Sequence, residues 1–516
     1  MPIRDRFYQD VWVFAVTGSL LMMATGLFLG TIAVDDELNL FLGSFDGIGR
    51  GLWGHQLVTF LLPGQLGISF APMLLGILLY ATSTTILIYF WGIRDQVAAR
   101  LSAFIIGAFP YFASMMTFDV VQVAYPLGFV CIIFSLYPVF MKSGFRHYCF
   151  GVALFALAFS LYQGVASAAL TAFASIVGMR FILAENKEDA LNQILRSHIP
   201  RFLVISSLGS ATYLVTSKIV QAVFDHHKWV GGYELAVDLA FSKERLYYIA
   251  YHSLGLLTGW ENDLPGLSVA LFFLMITVLS VSVFLLKKLP MAKKLLLFVA
   301  VWLIFCLSPF WLMFVQINPL APRSTVGLAI LYGFVFAALA SIGSGTLRKL
   351  VLGVAAIWCV QFIFLGNEMY YTQHLVYQSD RDTATRIVSR IDSLPGIEQL
   401  PFPVPTTFVG MYKHPPNGSK KYSVLGASMF EWDGGNIYRQ MAFFGVVNVS
   451  GLQLLATKEI SEEVETFVLE NKIPSWPRPG SVFIYGDDTV VVNLGPRTAA
   501  RTNLKRSVQK IRDLLL

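Results

Sequence analysis

Charge is scarce in this chain. Asp, Glu, Lys and Arg make up 14% of its 516 residues, against about a quarter in soluble proteins, and the mean hydropathy is +0.62. A soluble globular fold is excluded at the outset. Cysteine is scarce too. Cys131, Cys149, Cys306 and Cys359 all lie inside apolar runs and lack the spacing of metal ligands, so neither zinc nor redox chemistry has a foothold. His55, His226 and His227 show no metal-site spacing either. No internal repeat or low-complexity segment stands out. The net charge is +6, but the basic residues sit mostly in short loops between apolar runs. That pattern orients a membrane protein and does not build a phosphate-backbone groove, so nucleic acid is not an expected partner. The first apolar run is too long for a signal-peptide core and has no small-residue cleavage site, so it reads as a retained helix.

What the chain has in abundance is apolar runs of roughly bilayer-spanning length. Uncharged runs fall at about 11–34, 66–93, 101–118, 120–141, 148–179, 202–217, 264–286, 295–322, 324–347 and 350–367. The run at 148–179 is too long for one ordinary helix, and "LYQGVAS" at 161–167 supplies a turn in its middle. Splitting it there gives eleven helices. With the N-terminus inside, one set of loops carries Arg94, Arg100, Lys142, Arg146, Lys187, Arg196, Arg201, Lys287, Lys288, Lys293, Lys294, Arg348 and Lys349. The opposite set carries only Arg50, Lys228, Lys243, Arg245 and Arg323. This asymmetry sets the N-terminus in the cytoplasm, and an odd span count puts everything after Tyr370 outside.

The expected fold is therefore a polytopic α-helical membrane protein of about eleven transmembrane helices over residues 1–370, with outer loops at 34–65 and 225–263. A C-terminal α/β domain over 371–516 follows, outside the membrane. The loop at 225–263 has aromatics at helical spacing and mixed charge, which suits a helix in the interface. In the tail, a helix is expected around 379–393, a strand at "TTFVGMY", a helix at 458–472, and two strands around the Gly-Asp-Asp turn of "SVFIYGDDTVVVNL".

Ionisable residues near the outer helix ends are few: Asp35, Asp36 and Glu37 after the first helix, Asp119 between the third and fourth, Lys218 in the outer part of the seventh, and Arg323 after "QINPLAP". Each has a bland reading. Carboxylates beyond a helix end are usually solvated, Asp119 could bond a neighbouring helix, Arg323 and Lys218 can reach headgroups, and Tyr162 and Gln163 can simply form a turn. The outer-loop residues Trp53, Trp229 and Trp260 are most simply interface anchors. Together, however, carboxylates and cations on one face suit transfer of a group from a lipid-linked phosphate to a hydroxyl. A carboxylate takes the hydroxyl proton, and cations stabilise the departing phosphate.

The first outer loop "AVDDELNLFLGSFDGIGRGLWGHQLVTFLL", the turn "MTFDVVQVAYPLG", the "LYQG" and "APRS" turns, and the tail segments "SMFEWDGGNIYRQMAFFGV" and "PSWPRPGSVFIYGDDTVVVNLG" carry a resemblance over essentially the whole chain. It resembles the serotype-converting O-antigen glucosyltransferases of bacteria and prophages, the glucosyltransferase two type within the GT-C class. The resemblance implies inverting transfer of glucose from polyprenyl-phosphate-glucose to lipopolysaccharide O-antigen, on the periplasmic side of the bacterial inner membrane. It places the general base at Asp35 or Asp36, with Asp36 preferred and Asp35 and Glu37 then orienting it, and Asp119 as a second acidic position. Arg323 and Lys218 would hold the lipid phosphate, and Arg50 the acceptor or the loop. Tyr162 and Gln163, in the "LYQG" turn, join the substrate-binding candidates. Arg50 is followed by Gly51 and Leu52, where proline is expected after the arginine. No cofactor is expected, while a divalent metal stays open, since some GT-C enzymes hold one between such acidic groups. The rival reading is a transporter or flippase for a lipid-linked sugar, which calls for inverted repeats and charges near the midplane.

Overall fold

The computed structural model describes residues 5–34, 47–62, 70–142, 144–224, 264–284, 325–414, 425–432, 437–447, 452–454, 458–486 and 488–496, with isolated residues between them that include Asp36. The expected interface helix at 225–263, nearly all of the run at 295–322, and the basic end of the tail lie outside these. The chain divides into two compact units, one of 1–29 and 45–370, the other of 30–44 and 371–516.

The first unit is a bundle of apolar helices. Phe70–Trp91, Asp119–Phe140, Gln163–Leu183, Lys187–Val223 and Gly345–Asp392 are long and apolar enough to cross a membrane. Gln96–Gly107 and Pro110–Met116 make a sixth span if the pair, bent by 43°, counts as one. Shorter apolar helices cover Phe145–Leu161 and Gly327–Ile342. The chain is thus a polytopic helical membrane protein. The run read at 101–118 is broken at Pro110, whose ring fits the first turn of a helix and forces Phe109 into extended backbone. The run read at 11–34 likewise ends early, as Arg6–Met22 and the short Ala24–Phe28 helix. The long run at 148–179 does divide at "LYQG", where a 3₁₀ turn, Gln163–Val165, separates Phe145–Leu161 from Ala166–Leu183.

Small residues let these helices approach closely, as they do where lipid offers no hydrophobic drive for association. Arg6–Met22 packs on Gln96–Gly107 through reciprocal glycines. A Cβ on Gly18 would stand 2.6 Å from the Phe104 carbonyl oxygen, and one on Gly107 would collide with that of Ala15. The hydroxyl of Ser19 closes the same contact on the Gly107 carbonyl at 3.0 Å. The basic loops are tied by polar contacts of their own. Arg348 pairs with Asp95 at 2.6 Å, Arg100 with Asp10, and Arg180 donates to the Phe140 carbonyl.

The second unit contains a four-stranded sheet of order β2-β1-β4-β3, with β1 Val404–Val409, β2 Leu452–Leu454, β3 Val482–Tyr485 and β4 Thr489–Asn493. β1 runs parallel to β2 and to β4, and β3 with β4 forms the hairpin around the Gly-Asp-Asp turn. Helix Lys458–Glu470 packs Val464 and Val468 against Val409 and Val491. The helix expected at 379–393 is the last part of Gly345–Asp392, which contributes residues to both units.

Backbone cannot retreat as a side chain can, so Gly107→Ala should lower the thermal stability of the purified protein in detergent by about 1–3 kcal/mol, the usual cost of overpacking. Gly353 has open space where a Cβ would lie, and Gly353→Ala should not lower it. The melting curves of the two variants, read side by side, check this.

Candidate functional site

The turn that carries Asp119 is built by its neighbour Gln122. The side-chain amide of Gln122 donates to Asp119 Oδ1 and to the Met116 carbonyl, both at 3.0 Å. Gly76 comes so close to the Gln122 backbone that no side chain would fit. Asp119 is left 2% exposed, at the head of a short 3₁₀ turn, Asp119–Val121.

A second loop is fastened to this turn. Helix Trp53–Leu61 carries His55, whose Nε2 lies 2.5 Å from the Val120 carbonyl oxygen. A carbonyl only accepts, so the ring proton sits on Nε2. Gly54 brings the same helix against Ser160 with no room for a Cβ. The loop before it, residues 47–52, is held from the other side. Gln163 Nε2 donates to the Arg50 carbonyl at 3.3 Å and to the Tyr213 hydroxyl at 2.6 Å. Ser217 reaches the Gly51 carbonyl at 3.4 Å, and Gln221 reaches those of Ile48 and Gly49 at 3.2 and 3.3 Å. Gly51 has φ +76°, a conformation that favours glycine. Tyr162, beside Gln163, sets its ring edge-on to Tyr125, with centroids 5.1 Å apart.

Arg50, Asp119, Tyr162 and Gln163 are thus joined through one run of contacts in the first unit. The side chain of Arg50 is exposed at the surface of its loop, and that of Lys218 is exposed on helix Ile199–Val223, next to Ser217. Asp36 belongs to the second unit and is fully buried, its amide bonded to the Ala33 carbonyl at 3.1 Å. Gln373 secures the approach to it, donating to the Ile32 carbonyl and accepting from the Gly426 amide. Asp35, Glu37 and Arg323 lie outside the described residues. Among the described residues no group of three or more His, Cys, Asp and Glu side chains could hold a metal ion.

Several of these supports were not picked out from the sequence. In the sequence His55 offers itself only as a metal ligand without partners at metal-site spacing, and Gln122, Tyr213, Ser217 and Gln221 sit in apolar surroundings. A signal did exist in the last three, which fall at i, i+4 and i+8 and so line one helix face.

Burial pushes the pKa of His55 down to about 4. The bond to Val120 opposes this shift and the charge of Arg50 adds to it. The folded protein therefore holds a neutral ring that the unfolded chain would protonate near pH 6.5. Its contribution to stability is intact above that pH and is lost as pH falls from about 6.5 toward 4, by roughly 3 kcal/mol in all. Melting temperatures measured across that range should fall further for wild type than for His55→Gln, which cannot take up the proton.

No curated protein sequence and no solved structure matches the chain. The family model described as glucosyl transferase GtrII does match, over residues 24–341, which is more than half of the chain and spans Asp36, Arg50, Asp119, Tyr162 and Gln163. The chain belongs to that glucosyl transferase family, and is a glucosyltransferase that works on a sugar donor and an acceptor.

Proposed function

We propose that the protein transfers glucose from polyprenyl-phosphate-glucose to a hydroxyl of lipopolysaccharide O-antigen, with inversion, on the periplasmic side of the bacterial inner membrane. In this reading it is a GT-C enzyme of eleven spans with its N-terminus in the cytoplasm and residues 371–516 in the periplasm. The gathering of the Lys- and Arg-bearing loops onto one another, through the Arg348–Asp95 and Arg100–Asp10 pairs, supports that orientation.

The chemistry needs one displacement. Asp36 takes the proton of the acceptor hydroxyl as its oxygen attacks the anomeric carbon of glucose from the face opposite the phosphate. The bond from that carbon to the phosphate oxygen breaks, and polyprenyl phosphate leaves with the electron pair. Asp35 and Glu37 orient the base, and Asp119 is the second acidic group. Arg323 and Lys218 stabilise the departing phosphate. Arg50 completes the binding surface, and Tyr162 and Gln163 meet the sugar. The observation that carries the reading is family membership over a stretch whose buried carboxylate, Asp119, and exposed cation, Arg50, are linked through His55, Val120 and Gln163.

The test is made in cells that have a defined O-antigen and a supply of polyprenyl-phosphate-glucose. Wild type should add glucose to the polysaccharide, and Asp36→Asn, at equal abundance, should add at least about a hundredfold less. Equal glucose with the variant would remove Asp36 as base. No glucose from wild type would overturn the donor and acceptor named here.

A further inference from the structure

Helix Ile199–Val223 packs one side on Phe145–Leu161, where Gly209 meets Phe155, and among the described residues leaves the other side uncovered. Only 22% of the residues in the most apolar stretch of its span are buried, against 78% for Asp119–Phe140. Leu203, Leu208, Leu214, Val215 and Ile219 are all exposed, as befits a helix with one side to lipid. Against that background, three polar side chains one turn apart are buried or half-buried on the opposite side, namely Tyr213, Ser217 and Gln221. Polar groups inside an apolar span are costly unless they are used. All three are used on one object, Ser217 and Gln221 directly and Tyr213 by holding the Gln163 amide. With Gln163, they catch the carbonyl oxygens of Ile48, Gly49, Arg50 and Gly51, four consecutive peptide groups. Space confirms the fit, because a Cβ on Gly51 would lie 3.0 Å from the Tyr213 hydroxyl and 3.8 Å from the Ser217 hydroxyl.

We infer that Tyr213, Ser217 and Gln221 are positioning residues that fix the backbone of the 47–51 loop, so that the Arg50 guanidinium is presented to the phosphate of the lipid-linked donor. This rests on the reading of Arg50 as a substrate-binding cation, and it adds Arg50 to Arg323 and Lys218 as a phosphate partner in place of the acceptor role that the family resemblance implies. Its consequence is that a helix bordering lipid sets the aim of a charge in the site. Ser217 and Gln221 bond the main chain of the loop directly, and Tyr213 reaches it through the Gln163 amide. They therefore set where the exposed guanidinium stands without engaging it, and a guanidinium meets a phosphate with paired N–H donors.

The experiment uses the full-length protein in lipid nanodiscs and measures binding of polyprenyl phosphate, without sugar, by native mass spectrometry. Four proteins are compared: wild type, Ser217→Ala/Gln221→Ala, Arg50→Ala, and the three substitutions combined. A clamp that works through Arg50 predicts non-additivity. Removing the Ser217 and Gln221 hydrogen bonds should weaken binding about tenfold when Arg50 is present, and less than about twofold once Arg50 is alanine. The milder Tyr213→Phe, which deletes one hydroxyl, should weaken binding in the same Arg50-dependent way even if the double variant fails to fold. An equal loss in both backgrounds, or none in either, overturns the inference, as does a wild type that binds no polyprenyl phosphate. Wild type that binds the lipid but adds no glucose to O-antigen would remove the acceptor reaction alone and leave this inference standing.

Discussion

The first unit depends on backbone approaching backbone. In an apolar solvent there is little gain from burying one greasy face on another, and helices associate by dispersion and by the polar contacts that close approach permits. Gly18 and Gly107 let Arg6–Met22 and Gln96–Gly107 meet at their carbonyls, and Ser19 then bonds across the gap. Gly76 does the same for the Gln122 backbone, and Gln122 in turn holds Asp119. A missing Cβ on one helix is thus two contacts away from a carboxylate of the candidate site. Gly54 against Ser160 brings in the loop helix on the same principle.

The second unit solves a different problem with charge. Asp380, 1% exposed, accepts from His414 Nε2 and from the Ser428 hydroxyl, each at 2.6 Å, and from the Met429 amide at 2.8 Å. Three donors converge on one buried carboxylate, which is the condition under which such a group can be tolerated away from water. The segment they fix, 428–430, opens the "SMFEWDGGNIYRQ" stretch that stood out in the sequence. Breaking one donor leaves the charge short of partners, so the effect of this cluster is to specify where that segment sits.

Much of this architecture was legible from residue order because its cause is periodic or compositional. Apolar runs mark most of the described helices of the first unit, the Tyr162–Gly164 turn divides a long run, and the tail strands at 404–409, 482–485 and 489–493 are short runs rich in β-branched and aromatic residues, the last two joined by a turn. What escaped was set by packing across the chain. Pro110 was visible, yet whether a proline starts a new helix or bends one depends on what its neighbours bury. The parallel pairing of β1 with β4 joins residues far apart in sequence, and no local pattern encodes it. Arg50, Asp119 and Gln163 were conspicuous because charge and amide groups stand out beside apolar runs. Tyr213, Ser217 and Gln221 were not, because each alone is an ordinary residue in a span, and only the loop they hold gives them meaning.

The 47–51 loop is gripped by its carbonyl oxygens, which every amino acid carries. Apart from Gly51, whose backbone angle narrows the choice, its shape is therefore indifferent to which side chains it bears. Conformation and chemistry at this place are encoded by different residues: the first by a helix some 160 positions downstream, the second by the loop itself. Such a division lets selection exchange the reactive groups of a binding surface one at a time while the scaffold that aims them is inherited unchanged.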